Sequence, residues 1–179
     1  MNPPSSRPSD GETFRLVALG KIDASILDGV AIELPKIFDG ARVVIECCHD
    51  EPGRYYDRVR RQYSAEAILA GLPASPAGTR VLVVVDQDLY VPNLMFVLGF
   101  AQRPARRAVI QLPRLREPFY GRPDNADLFR VRVLKEAVHE FGHTFDLSHC
   151  PNPQCVMYFS KTLADTDRKS QYFCESCID

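Results

Sequence analysis

Apolar runs of strand character alternate with amphipathic stretches through the first two thirds of the chain. Residues 13–20 (TFRLVALG) are β-rich, partly alternating and closed by glycine, and predict a strand. Residues 23–34 space Ile26, Leu27, Val30, Ile32 and Leu34 as one helix face, with Asp23 as cap and Pro35 as stop signal. Residues 41–48 contain the unbroken run Val43-Val44-Ile45, the pattern of a strand covered on both faces. Ser64 predicts the cap of a short helix over 65–72, followed by a Pro/Gly-rich loop at 73–78. Residues 80–85 (RVLVVV) are the most hydrophobic strand and belong at a sheet centre, with Asp86 and Asp88 at its exit. Further strands are expected at 94–100 and 108–112, and a long helix over 125–144 capped by Asp124 or Asn125. Strands interleaved with helices, then one long helix and a cysteine-rich coil, predict a mixed sheet with helices packed on it.

Length and charge narrow the class. The 179 residues suit one compact domain, and 45% apolar content can build a substantial core. Twenty-two Lys+Arg against 23 Asp+Glu leave a formal charge of −1, which argues against polyanion binding by the whole molecule. No apolar run reaches bilayer length, so a membrane span is not expected. The start, MNPPSSRPSDGE, lacks the apolar segment of a secretory signal and reads as a disordered tail over 1–12, consistent with a cytoplasmic address. A monomer is expected.

Candidate chemistry gathers near the C-terminus. Three of the four histidines fall within eleven residues, and His139-Glu140-Phe141-Gly142-His143 is HExxH. At 100° per residue, Val131, Leu134, Val138, Phe141 and Phe145 cover an arc of roughly 80° that should face the core. His139 and His143 lie about 40° apart beside that arc, one turn above the other, and can offer two imidazoles to one cation. Glu140 projects beyond His143, placed for water rather than metal. A third ligand must come from another direction. His149 supplies it if the helix ends near Phe145; Asp146, on a continued helix, would lie two turns from His139. Three neutral imidazoles leave the charge on the metal to acidify water, with Glu140 as general base.

The pattern HExxHxxDxxH followed by cysteine resembles the extended zinc motif of the metzincin metallopeptidases. Met157, in Cys155-Val-Met-Tyr-Phe-Ser160, matches their methionine turn, and HC-x4-C-x-M with a later CxxC narrows the resemblance to the archaemetzincin family. Residues 56–63 (YDRVRRQY), Asp88-Leu-Tyr90 and the run 96–100 are similar to that family too. The resemblance implies an α+β, zincin-like fold: a twisted mixed sheet with a backing helix, an active-site helix and a small cysteine-rich C-terminal subdomain. It places a catalytic subdomain over 13–149 and the methionine turn and cysteines in 150–179. It implies that His139, His143 and His149 hold a catalytic zinc, that Glu140 is the general base, and that Met157 supports the site. The implied activity is hydrolysis of peptide or protein substrates, of aminopeptidase type. Asp146 stands where the family has glycine; aspartate tolerates the positive φ of such a turn at about 1–2 kcal/mol.

Cys150-x4-Cys155 and Cys174-x2-Cys177, 18 residues apart, have the spacing of a closed, structural four-thiolate zinc site, giving two zinc ions per chain. Cys47 and Cys48, adjacent on a strand, point to opposite faces and read as buried inert thiols, with His49 capping the strand. Six arginines between 103 and 122 face one acid, Glu117. They read as charge protecting a solvated edge strand; the functional reading is an edge that receives an extended peptide by strand addition and prefers acidic residues nearby. The family resemblance points to residues 109–112 for that backbone contact. The rival to a peptidase is a catalytically weak or silent zinc-binding module whose arginine-rich face meets an acidic protein or nucleic acid; nucleic acid is the less expected partner.

Overall fold

The computed structural model describes residues 12–48 and 52–178, without the side chains of Cys47 and Cys48. Strand β1 (Thr13–Leu19) leads through helix α1 (Ala24–Ile37) to β2 (Arg42–Cys48). Short strands β3 (Tyr56–Asp57) and β4 (Gln62–Ser64) precede helix α2 (Ala65–Ala70) and β5 (Thr79–Val85). Then come β6 (Leu89–Tyr90), β7 (Gly99–Gln102), β8 (Arg107–Gln111), the long helix α3 (Ala126–Thr144), and short helices α4 (Leu163–Arg168) and α5 (Glu175–Ile178). The main sheet has the order β2-β1-β5-β8-β7; the first four strands are parallel and β7 is antiparallel to β8. A small sheet, β3-β4-β6, flanks it.

Period-two alternation explains the layering. Phe14, Leu16, Leu82, Val84, Ala108 and Ile110 face α1 and α3, while Val17, Leu19, Val81, Val83, Val85 and Val109 face α2. Strand β5 is buried along its whole length at the sheet centre, as its sequence demands. Asp23 caps α1 by accepting from the Ser25 amide, Ser64 caps α2 and Asn125 caps α3.

Several expectations need correcting. Pro35 does not stop α1, which runs to Ile37; it removes one internal hydrogen bond, but buried Leu34 and Phe38 anchor the last turn in the core. Strand β2 lies at the sheet edge, and Ile45 is 38% exposed instead of covered on both faces. The strand expected over 94–100 is Gly99–Gln102; the residues before it form an irregular segment whose apolar side chains line a cavity rather than a sheet. Helix α2 ends at Ala70, before 72. Val131 is exposed, because the core covers α3 continuously only from Arg132 onward. Residues 109–112 are not an edge: β8 is paired on both sides, and β7 forms the border. Of the tail, residues 1–11 lie outside the described residues, as do His49 and the Cys47 and Cys48 thiols. Glu12 is buried and pairs with Arg80 at 2.5 Å.

The arginine-rich segment is not simply solvated. Arg106 pairs with Glu12, Arg114 with Asp88, Arg116 with Asp86 and Arg122 with Glu117, while Arg107 donates to the carbonyls of Leu69, Leu72 and Pro73. Three of these four acids and all three carbonyl residues lie outside the segment, so counting local charge overstated the imbalance. Among the described residues no helix is long and apolar enough to cross a membrane.

Candidate active site

Helix α3 runs through the centre of the molecule and is buried on every side over its last thirteen residues, Arg132 to Thr144. Its polar groups are therefore matched individually. Arg132 forms a fork on Asp167 (2.6 and 2.7 Å) and reaches Glu117 at 2.6 Å. The Lys135 ammonium donates to the carbonyls of Thr166 and Asp167, and Lys169 pairs with Glu136 at 2.9 Å. Residues of the α4 region thus hold the helix from outside the sheet.

The helix stops at Phe145, and Asp146 takes φ 65°, the left-handed turn that leaves the helix axis. That turn returns His149 towards the two helical histidines. The Nε2 atom of His143 lies 3.1 Å from that of His139 and 3.2 Å from that of His149. Zinc–nitrogen bonds of about 2.0–2.1 Å at tetrahedral angles require nitrogens about 3.3 Å apart, so the three imidazoles fit one zinc ion. Their other nitrogens are fixed: His139 Nδ1 donates to the Val156 carbonyl at 2.7 Å and His143 Nδ1 to that of Leu147 at 2.8 Å. Burial lowers all three, His139 well below the ordinary value and His143 to about 4, so the rings are neutral donors at physiological pH. Phe159 packs on His149 at 4.7 Å. Asp146 is exposed and does not join the histidine cluster.

Glu140 faces a cavity of about 540 Å³ shared with the three histidines. Burial, and then the charge of Glu136, push its carboxyl well above the usual carboxylate range, and its Oε2 has no protein partner. Gly99 of β7 is the wall beside it: a side chain there would collide with the Glu140 carboxylate. Met157 is fully buried beneath the helix, where a side chain at Gly142 would strike its Sδ.

The four C-terminal cysteines form a second cluster, with all Sγ atoms within 4.8 Å of one another. Cys150 and Cys174 stand 3.6 Å apart and Cys155 and Cys177 3.8 Å, the sulfur separation of about 3.8 Å that tetrahedral zinc–sulfur bonds of about 2.3 Å produce. These distances exclude disulfides between the pairs. Burial raises the Cys155 and Cys177 thiols, which a cation would offset by binding the thiolates.

The structure therefore brings the three histidines together, the four cysteines together, and Glu140 and Met157 to opposite sides of α3. Gly99, Glu136 and Lys169 were missed in the sequence. A glycine inside an apolar β-rich run is a signal for close backbone approach; nothing local marks the Glu136–Lys169 pair, whose members are 33 positions apart.

A family model described as Peptidase family M54 matches residues 40–179. The archaemetzincin of Methanocaldococcus jannaschii is 38% identical over 160 residues, spanning 89% of this chain and 87% of that protein. The crystal structure of archaemetzincin from Methanopyrus kandleri is similar with a TM-score of 0.80 at 37% identity, covering 99% of this chain and 95% of the other. That of archaemetzincin from Archaeoglobus fulgidus, complexed with malonate, gives 0.79 at 35% identity, over 92% and 97%.

Proposed function

The chain belongs to peptidase family M54, with the fold of the archaemetzincin zinc metallopeptidases, and from that premise we propose how its residues divide the work. His139, His143 and His149 hold the catalytic zinc; Cys150, Cys155, Cys174 and Cys177 hold a second, structural zinc. Zinc at the histidines supplies Lewis acidity, which lowers the pKa of water towards about 7. Glu140 is the general base: it accepts the proton that attacking water gives up and returns it to the leaving amine. Gly99 admits that carboxylate against β7, whose edge borders the cavity and suits an extended peptide added as a further strand. Met157 supports α3 below the metal, and the segment 150–179 is the subdomain that carries His149's neighbour Cys150 and the methionine turn.

One observation carries this reading: three neutral imidazole nitrogens meet at 3.1 and 3.2 Å on the wall of a cavity where a buried carboxylate has an unpartnered oxygen. A purely structural metal has no use for such a carboxylate. We assign peptides and proteins as substrates, an aminopeptidase-type preference, a monomeric state and a cytoplasmic address, the last suited to thiols spaced for metal instead of disulfides. The zinc-binding module with an arginine-rich face is the weaker reading, since five of the six arginines are engaged within the chain. A peptide-library digest by the zinc-loaded protein, with and without chelator, tests the assignment. Chelator-sensitive cleavage near peptide N-termini supports it, and absence of cleavage contradicts it.

A further inference from the structure

The cavity facing the histidines carries an uneven charge. On its floor Glu136 is neutralised by buried Lys169 at 2.9 Å. At its rim stand Arg103 and Lys161, both exposed. The intervening wall is apolar, with Leu94, Met95 and Phe159. Arg103 is set apart from its sequence neighbours. Each of the other five arginines between 103 and 122 is bound to a carboxylate or to backbone carbonyls, whereas the Arg103 guanidinium has no such partner among the described residues. The Lys161 ammonium has none either; the nearby Asp165 carboxylate is taken up by the Lys161 and Thr162 amides and the Thr162 hydroxyl.

Two cations without ion-pair partners among the described residues, on opposite sides in sequence of the HExxH helix, thus converge on one apolar-walled cleft. Low-dielectric walls focus such charges into the cleft and raise the local concentration of anions. A guanidinium also matches a carboxylate as a fork. We propose that Arg103 and Lys161 form a carboxylate-recognising rim that selects peptide substrates bearing an acidic group close to the scissile bond. The inference deepens the peptidase reading and rests on it for the identity of the ligand. The carboxylate can be an acidic side chain or the free C-terminal end of a short peptide; the chemistry is shared.

Binding separates this inference from catalysis. Zinc-loaded Glu140→Gln protein is titrated with four fluorescent peptides, identical except for Glu or Gln beside the candidate bond and a free or amidated C-terminus. The carboxylate-bearing peptides are expected to bind about 3–10-fold tighter than the neutral one, the range of one or two partly exposed charge pairs, with the preference shrinking in high salt. Arg103→Ala and Lys161→Ala, made in the same background, each reduce the preference, and the double variant removes it. Preference following the side chain or the terminus identifies the source. Equal affinity for all four peptides, binding of none, or a preference that survives the double variant overturns the proposal. Hydrolysis by the unmodified protein without any carboxylate preference would sink the rim alone; a carboxylate preference without hydrolysis would sink the peptidase reading alone.

Discussion

His139 Nδ1 donates to the backbone carbonyl of Val156 at 2.7 Å, and Val156 sits between Cys155 of the thiol cluster and Met157 beneath the active-site helix. The Cys150 amide donates to the Met157 carbonyl at 2.9 Å, and the Val156 amide to that of Tyr172 at 3.0 Å, so this turn is stitched to both halves of the C-terminal segment. The same three residues thus serve both clusters. Such an outer partner orients the ring and raises its basicity, and its loss typically weakens metal binding about 10–100-fold.

From this coupling, Cys174→Ser should release one zinc ion and also lower the zinc affinity of the histidine site by about 10–100-fold. Metal quantification and chelator competition read both effects. An unaltered histidine site after loss of the cysteine-bound ion would show the clusters to be independent.

Gly99→Ala places a Cβ against Glu140, whose Cγ would lie 2.6 Å away. The carboxylate must shift while the metal ligands stay in place. We expect zinc content to be retained and kcat to fall about 10–100-fold, the usual penalty for misplacing a reacting group by an ångström. Steady-state kinetics beside metal analysis distinguishes this from loss of the site.

Buried Arg132 holds Glu117 at 2.6 Å and keeps its carboxyl below the ordinary 4.5. A carboxyl lowered on folding contributes stability that is complete above its unfolded pKa and is lost as pH falls through the folded value. Thermal stability should therefore drop on acidification below about pH 4.5, with a shallower fall in Glu117→Gln. Melting temperatures between pH 6 and pH 3 check the slope; identical slopes in the two proteins would exclude Glu117 as a contributor.

The legible parts of the sequence were those governed by local rules. Asp23 and Ser64 cap the helices they were expected to cap, Asn125 is the one of the two candidates that caps the long helix, and the run 80–85 lies at the sheet centre because its apolar content leaves no other place. The return of His149 was readable from ligand geometry, and the turn at Asp146 (φ 65°) from the family resemblance. What was not readable depends on distant partners. Arg132, Lys135 and Glu136 look like a solvent face until Asp167, Thr166 and Lys169 cover them, and the arginines of 103–122 look unbalanced until Glu12, Asp86 and Asp88 are brought alongside. Edge and centre could not be told apart for Val43-Val44-Ile45, since apolar content alone does not order strands.

Glu140→Gln is the most direct examination of the account, because it changes one atom's capacity to carry a proton and almost nothing of shape. The variant should bind the same amount of zinc, give the same circular dichroism spectrum, and hydrolyse peptides at least about 100-fold more slowly than the unmodified protein. Unchanged turnover with both metals in place would contradict the account.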